Sequence, residues 1–138
     1  MKCRVLVIDG QGGNLGCQLI KLMKEQLSDI EIHAVGTNSS ATANMLKNSG
    51  VMGATGENAV VVGCRKADII VGPMGIVIAD ALMGEITPEM AKAVGQSSAM
   101  RVLVPVNRCD TLVAGVANGS MTFLLQDAVD KIKGLIAQ

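Results

Sequence analysis

The chain has 138 residues, 49% of them apolar, with twelve basic and twelve acidic side chains that cancel. A chain of this length buries roughly 68% of its unfolded surface, so a sizeable core is expected. The zero balance, the lack of a basic tract and a lone aromatic residue, Phe123, argue against nucleic-acid binding by phosphate neutralisation or base stacking.

The N-terminus, "MKCRVLVIDG", carries a short apolar run that stops at Asp9. No small-residue cleavage site follows, so a first strand over residues 4–8 is expected rather than a signal peptide. From Gly13 to Ser28 the apolar residues Leu15, Leu19, Met23 and Leu27, joined by Ile20 and Leu22, recur at three and four. That spacing predicts a helix with one buried face. Residues 31–35, "EIHAV", predict a second strand, and 39–48 a helix capped by Ser39 or Ser40. A short strand near Val51 and Met52 follows, then a helix from a Thr55 cap to about Lys66, with a hairpin through "AVVV" as the alternative. A strand is expected over residues 69–72, and a helix over "GIVIADALMG". "TPEMAKAVG" predicts another helix, with Thr87 as cap and Pro88 at its first position. "RVLVPV" predicts a strand, "TLVAGV" a short last one, and "MTFLLQDAVDKIKGLI" a closing helix. Its expected apolar face is Met121, Leu124, Leu125, Ala128, Ile132 and Leu135.

Strands alternating with helices at this spacing imply βαβ units. The expected fold is α/β, a doubly wound, mainly parallel sheet of Rossmann-like type with three αβα layers. No repeat or linker divides the chain, so residues 1–138 are expected to form a single domain. No apolar stretch reaches about 18 residues, the length of a membrane span. Cys3, Cys17, Cys64 and Cys109 form no CxxC or Cys/His pair, so neither a zinc site nor a disulfide framework is expected. Widely spaced thiols of this kind suit a cytoplasmic protein. The nine methionines read as core or interface filling.

In a doubly wound sheet, ligands bind beyond the carboxyl ends of the strands. The loops expected there read "DGQGGN", "GTNSS", "GATGEN", "GPMG" and "PVNRCD", nearly all small and polar. The opposite edge carries ordinary turns. Gly10, Gln11, Gly12, Gly13 and Asn14, with Thr37, Asn38, Ser39, Gly72, Pro73 and Gly75, are therefore the candidate cofactor-binding residues. Gly10, Gly12, Gly13 and Gly16 do not spell G-x-G-x-x-G, because Leu15 takes the third place. The roles still map onto G-x-G-G-x-x-G. Gly10 makes the tight turn, Gly12 and Gly13 bring backbone to a phosphate, and Gly16 packs the helix on the first strand. No Lys-Ser/Thr pair follows, which excludes a P-loop.

"GQGGNLG" resembles the first nucleotide-binding loop of the tubulin family, G-Q-x-G-N-x-x-G between a strand and a helix. The resemblance implies that Gln11 and Gly12 lie near nucleotide phosphates. It covers about ten residues, and the family's second phosphate loop is missing. The end of the second strand, "AVGTNSS", lacks the acid that holds the ribose of NAD, although Thr37, Asn38 and Ser39 offer hydrogen bonds. The cofactor is left open between a nucleotide, NAD(P) and another small anion, with the missing acid counting against NAD itself and leaving NADP open. Arg108 is the sole cation near this edge.

Catalytic groups are sparse. Asp9, Asn107, Cys109 and Asp110 are the weak candidates; no His stands near Cys109 in sequence to activate its thiol. Asp9 reads first as a cap of the glycine loop. His33 lies within a strand and reads as structural. Asp80 and Glu85 read as solvated helix residues, with pairing in a cleft as the alternative.

Over its whole length the chain is similar to a family of small bacterial proteins of unknown function. The shared strings are "IDGQGGNLG", "GTNSSAT", "GATGENAVVV", "ADIIVGPMGIVIADALMGEITP" and "VPVNRCD". The resemblance implies a Rossmann-like fold and no established reaction. Three functions stay open. The first is a module binding a small anionic, phosphate-bearing ligand, and the second a small enzyme whose site is completed between subunits. The third is a scaffold whose glycines only turn the chain. Mean hydropathy of +0.42 predicts a homo-oligomer.

Overall fold

The computed structural model describes residues 2–106, 110–116 and 119–138. Asn107, Arg108 and Cys109, singled out above, lie outside the described residues. Five strands form one sheet: β1 (Cys3–Asp9), β2 (Ile30–Gly36), β3 (Met52–Thr55), β4 (Ile69–Pro73) and β5 (Met100–Val104). Its order is β3-β2-β1-β4-β5, and every pairing is parallel. The three-layer, doubly wound fold expected from the alternation is thus present.

The apolar runs are long because both faces of the central strands are covered. Val5 and Val7 of β1 pack under α1 (Asn14–Gln26), α2 (Ser39–Leu46) and α5 (Met121–Ile136). Leu6 and Ile8 face the other layer, α3 (Glu57–Lys66) and α4 (Pro88–Gln96). After β3 the chain crosses back to β4, beside β1, and strand order reverses there. The crevice between the loops after β1 and β4 is the topological switch point, where doubly wound sheets receive ligands.

The alternation settles α3 as a helix rather than a hairpin arm, although its N-cap is Gly56, at φ 103°, and not Thr55. α2 starts from Asn38, whose side chain accepts the Ala41 N–H, and not from Ser39 or Ser40. Thr87 caps α4, accepting from the Met90 N–H, with Pro88 at the first position. The closing helix matches its expected span, but Met121 is exposed and Val129 takes a place on the buried face.

Two expected elements do not form. "GIVIADALMG" makes a 3-10 helix at Met74–Val77 and then a series of turns, not an α-helix. Three consecutive β-branched residues, Ile76, Val77 and Ile78, weaken helix propensity. The chain then passes through left-handed backbone at Asp80, Leu82, Met83 and Gly84. That path buries Ala81, Leu82 and Ile86. "TLVAGV" is turn and coil, with Gly115 at φ 81° and Leu112 94% exposed. Among the described residues the sheet ends at β5, and this segment adds no sixth strand to it.

Candidate functional site

The glycine loop leaves β1 at Asp9 and enters α1 at Asn14. Gln11 and Gly13 both take left-handed backbone, φ 51° and 76°, and the Gly13 N–H donates to the Gly10 carbonyl at 3.0 Å. The turn is closed from beneath by the Asp9 carboxylate. Its Oδ1 accepts the Gly10 N–H and its Oδ2 the Gly16 N–H, both at 2.8 Å. Asp9 is only 4% exposed. Burial pushes its carboxyl above the ordinary value, the Gly16 and Gly10 amides pull it down, and Glu85 adds repulsion that raises it. A carboxylate spent on two amides inside the fold is a cap. The geometry gives it no free face for catalysis.

Three of the four glycines have steric reasons of their own. A Cβ at Gly13 would stand 2.6 Å from the Ala41 carbonyl oxygen, so α1 and α2 meet there backbone to backbone. A Cβ at Gly16 would collide with the Met45 sulfur and approach the Asp9 Cβ at 3.0 Å, the helix-on-strand packing expected of it. A Cβ at Gly10 would lie 2.6 Å from Thr37 Oγ1, 2.9 Å from Leu82 Cδ1 and 3.0 Å from Glu85 Oε1. Gly12 differs. It is exposed, and the nearest atom to a Cβ there is Asn14 Nδ2 at 3.9 Å. The amides of Gly12, Asn14 and Leu15 donate no hydrogen bond to the described residues. Three N–H groups with no partner among the described residues, at the start of a 13-residue helix, leave partial positive charge at the mouth of the crevice.

Above this loop lies the side chain that sequence reasoning assigned to a solvated helix. Glu85 comes from the segment after β4, and its Oε1 accepts three hydrogen bonds. The Gln11 N–H donates at 2.9 Å, Thr37 Oγ1 at 2.6 Å and Asn38 Nδ2 at 2.7 Å. Partial burial works to raise its pKa, but the bonds from Thr37, Gln11 and Asn38 outweigh that and hold the carboxyl below its ordinary value. Glu85 is therefore an ionised tie that draws together the ends of β1 and β2 and the loop after β4. Asn38 does double duty. Its Oδ1 caps α2, while Nδ2 also reaches the Gln11 carbonyl at 3.0 Å. Asn44 of α2 donates to the Gly12 carbonyl at 2.9 Å and to Asn14 Oδ1 at 2.8 Å, fixing the outer rim of the loop.

The structure thus gathers Gly10, Gln11, Gly12, Gly13, Asn14, Thr37 and Asn38 at one place, and Ser39 opens α2 beside them. Gly72, Pro73 and Gly75 stand at the end of β4 but are buried. Gly72 is better explained by the sheet, since a Cβ there would strike the Ile8 carbonyl oxygen. Asp110 is exposed and makes no hydrogen bond to the glycine loop. His33 sits in the middle of β2 and not in the loop that follows it, with Nε2 2.9 Å from Glu31, which also pairs with Arg4. Cys64 is buried, and burial pushes its thiol up to about 11, which keeps it protonated and inert. Among the described residues no group of His, Cys, Asp or Glu is placed to hold a metal ion. No described helix is long and apolar enough to cross a membrane.

No curated protein is detectably similar in sequence. Among solved structures, the chain is similar to a dodecameric FMN-dependent UbiX-like decarboxylase from Escherichia coli O157:H7. That likeness has a TM-score of 0.46 at 13% identity, covering 100% of this chain and 96% of the other. A family model, DUF3842, a domain of unknown function, matches residues 4–137, and the chain belongs to that family.

Proposed function

We propose that residues 1–138 act as one Rossmann-like domain that binds a phosphate-bearing small molecule, a nucleotide or dinucleotide, at the glycine loop. The observation that carries this reading is the set of amides of Gly12, Asn14 and Leu15, unpartnered among the described residues, beside the switch point. Asn44 and Asp9 hold the loop rigid around them, so little ordering is needed when an anion arrives. Gly12 alone among the loop glycines has open space rather than a neighbour, which is where a phosphate would approach. The loops at this edge offer no Lys or Arg apart from Arg108, so backbone dipoles and not side-chain cations would hold the anion. That suits one phosphate or a pyrophosphate better than a triphosphate.

Thermal-shift screening with mononucleotides, dinucleotides and inorganic phosphate tests this. A ligand present at a hundred times its Kd stabilises the fold by about 2.7 kcal/mol, which raises the midpoint by roughly 8 °C in a chain of this size. A flat response to the whole panel would instead favour a scaffold whose glycines only shape the turn.

The same reading places the protein in the cytoplasm, where the thiols of Cys3, Cys17 and Cys64 stay reduced. It also takes the protein as a homo-oligomer. Phe123, 63% exposed, stands with Val113, Val116 and Leu124 around an apolar groove of about 750 Å3 along β5 and α5. Sedimentation velocity at micromolar concentration should give a dimer or larger species. A monomer would refute this part of the proposal.

A further inference from the structure

The end of β2 lacks the acidic residue that reads a ribose in dinucleotide-binding folds. The fold nevertheless delivers a carboxylate to that place from 48 residues away in sequence. Glu85 is seated on Thr37 and Asn38, the residues that follow β2, and on the amide of Gln11, between the first two glycines. All three donors go to Oε1. Oε2 makes no hydrogen bond to the described residues, so one acceptor of an ionised carboxylate is left over at the mouth of the crevice. The backbone that brings it there is unusual: Asp80, Leu82 and Met83 are non-glycine residues in left-handed conformation. Such conformations persist where surrounding contacts over-determine them, and they cluster at ligand clamps. Leu82, buried against Gly10, anchors the segment.

We propose that Glu85 is the specificity-determining residue of this site, accepting a hydrogen bond at Oε2 from a ribose hydroxyl and selecting ligands with a free 2′,3′-diol. The inference rests on the glycine loop holding the ligand's phosphate. A diol donates to a carboxylate, whereas a 2′-phosphate would bring a second anion against it. No cation among the described residues of these loops offsets that repulsion. The ligand class is then a nucleotide or dinucleotide whose ribose 2′ and 3′ hydroxyls are unphosphorylated, such as NAD rather than NADP.

Two matched pairs test the assignment: NAD against NADP, and AMP against 2′-deoxy-AMP, each titrated by calorimetry into wild type and Glu85→Gln. Glu85→Gln keeps an oxygen for Gln11, Thr37 and Asn38 and replaces the free acceptor by a donor. Wild type should prefer the diol-bearing member of the pair it binds by about tenfold or more, as expected where a polar site is left unmatched by the other ligand. Glu85→Gln should shrink that ratio to within about twofold, with its melting temperature reporting that the fold persists. Equal binding of both members by wild type, or preference for NADP or the deoxynucleotide, overturns the proposal without needing any variant. An unchanged ratio in a folded Glu85→Gln overturns it too. If Gly12→Asp removes binding in either of those cases, the glycine-loop reading survives. If no nucleotide binds wild type at all, that reading fails and the role of Glu85 falls with it.

Discussion

Replacing Asp9 by Ala is expected to lower stability by about 3 kcal/mol, which urea denaturation at pH 7 would measure. The change strips the acceptors from two buried amides, those of Gly10 and Gly16, and each unsatisfied buried donor costs about 1–3 kcal/mol. It also opens a void beneath the turn. Asp9→Asn should cost somewhat less, because the amide oxygen keeps one of the two bonds while its NH2 opposes the other donor. The pH dependence has a definite sign. Burial raises the folded-state pKa of Asp9 above its ordinary 3.8. A carboxyl shifted upward favours folding most below its unfolded pKa, and that contribution is lost as pH rises through the folded value. The stability gap between wild type and Asp9→Asn should therefore widen as pH falls from 7 towards 4. Glu85 has the opposite sign: its folded pKa is lowered, so its contribution is present above 4.5 and is lost as pH falls through the folded value. Because Glu85 is present in both proteins, its effect largely cancels from the difference.

The second large effect concerns binding and not folding. Gly12→Asp should abolish the ligand-induced rise in melting temperature, from roughly 8 °C to below about 1 °C, at a ligand concentration a hundred times the wild-type Kd. The protein's own midpoint should stay within about 2 °C of wild type. Gly12 has negative φ and open space, so a side chain fits there without strain, and surface substitutions of that kind lie within about 0.5 kcal/mol. What the new carboxylate does is bring a fixed negative charge to the amides of Gly12, Asn14 and Leu15. Gly13→Val makes a poor probe of binding by comparison. At φ 76°, with Ala41 backbone 2.6 Å from any Cβ, it would disrupt the packing of α1 on α2. Loss of binding in that variant would report unfolding.

How much of this was legible in the chain itself depends on the range of the interactions. Buried parallel strands announce themselves as apolar runs, and "RVLVI" and "DIIV" did so because helices cover both their faces. Thr87-Pro88 marked a helix start because capping is local. The glycine loop was legible for the same reason, and the placement of Gly16 against β1 follows its expected role. The segment 75–84 was not. Its apolar spacing matches a helix, and what overrides that spacing is tertiary: Leu82 buried on Gly10, and Glu85 bonded to Gln11, 74 residues away. Glu85 itself carried no signal in its neighbourhood, since its three partners belong to the ends of β1 and β2. The one available hint was negative, the missing acid after β2, together with three polar residues there, Thr37, Asn38 and Ser39, that can donate. Gly72 illustrates the converse. Its position at a strand end suggested ligand contact, but its neighbour is the carbonyl of Ile8, which only the strand order places beside it.

The most direct test of the account follows backbone amide resonances of the 15N-labelled protein while AMP or NAD is titrated in. Binding at the glycine loop predicts the largest, saturable shifts at Gly12, Asn14 and Leu15, with Thr37 and Asn38 next and the Arg4, Glu31 and His33 cluster unmoved. Shifts centred on any other part of the fold, or none at millimolar nucleotide, would contradict it.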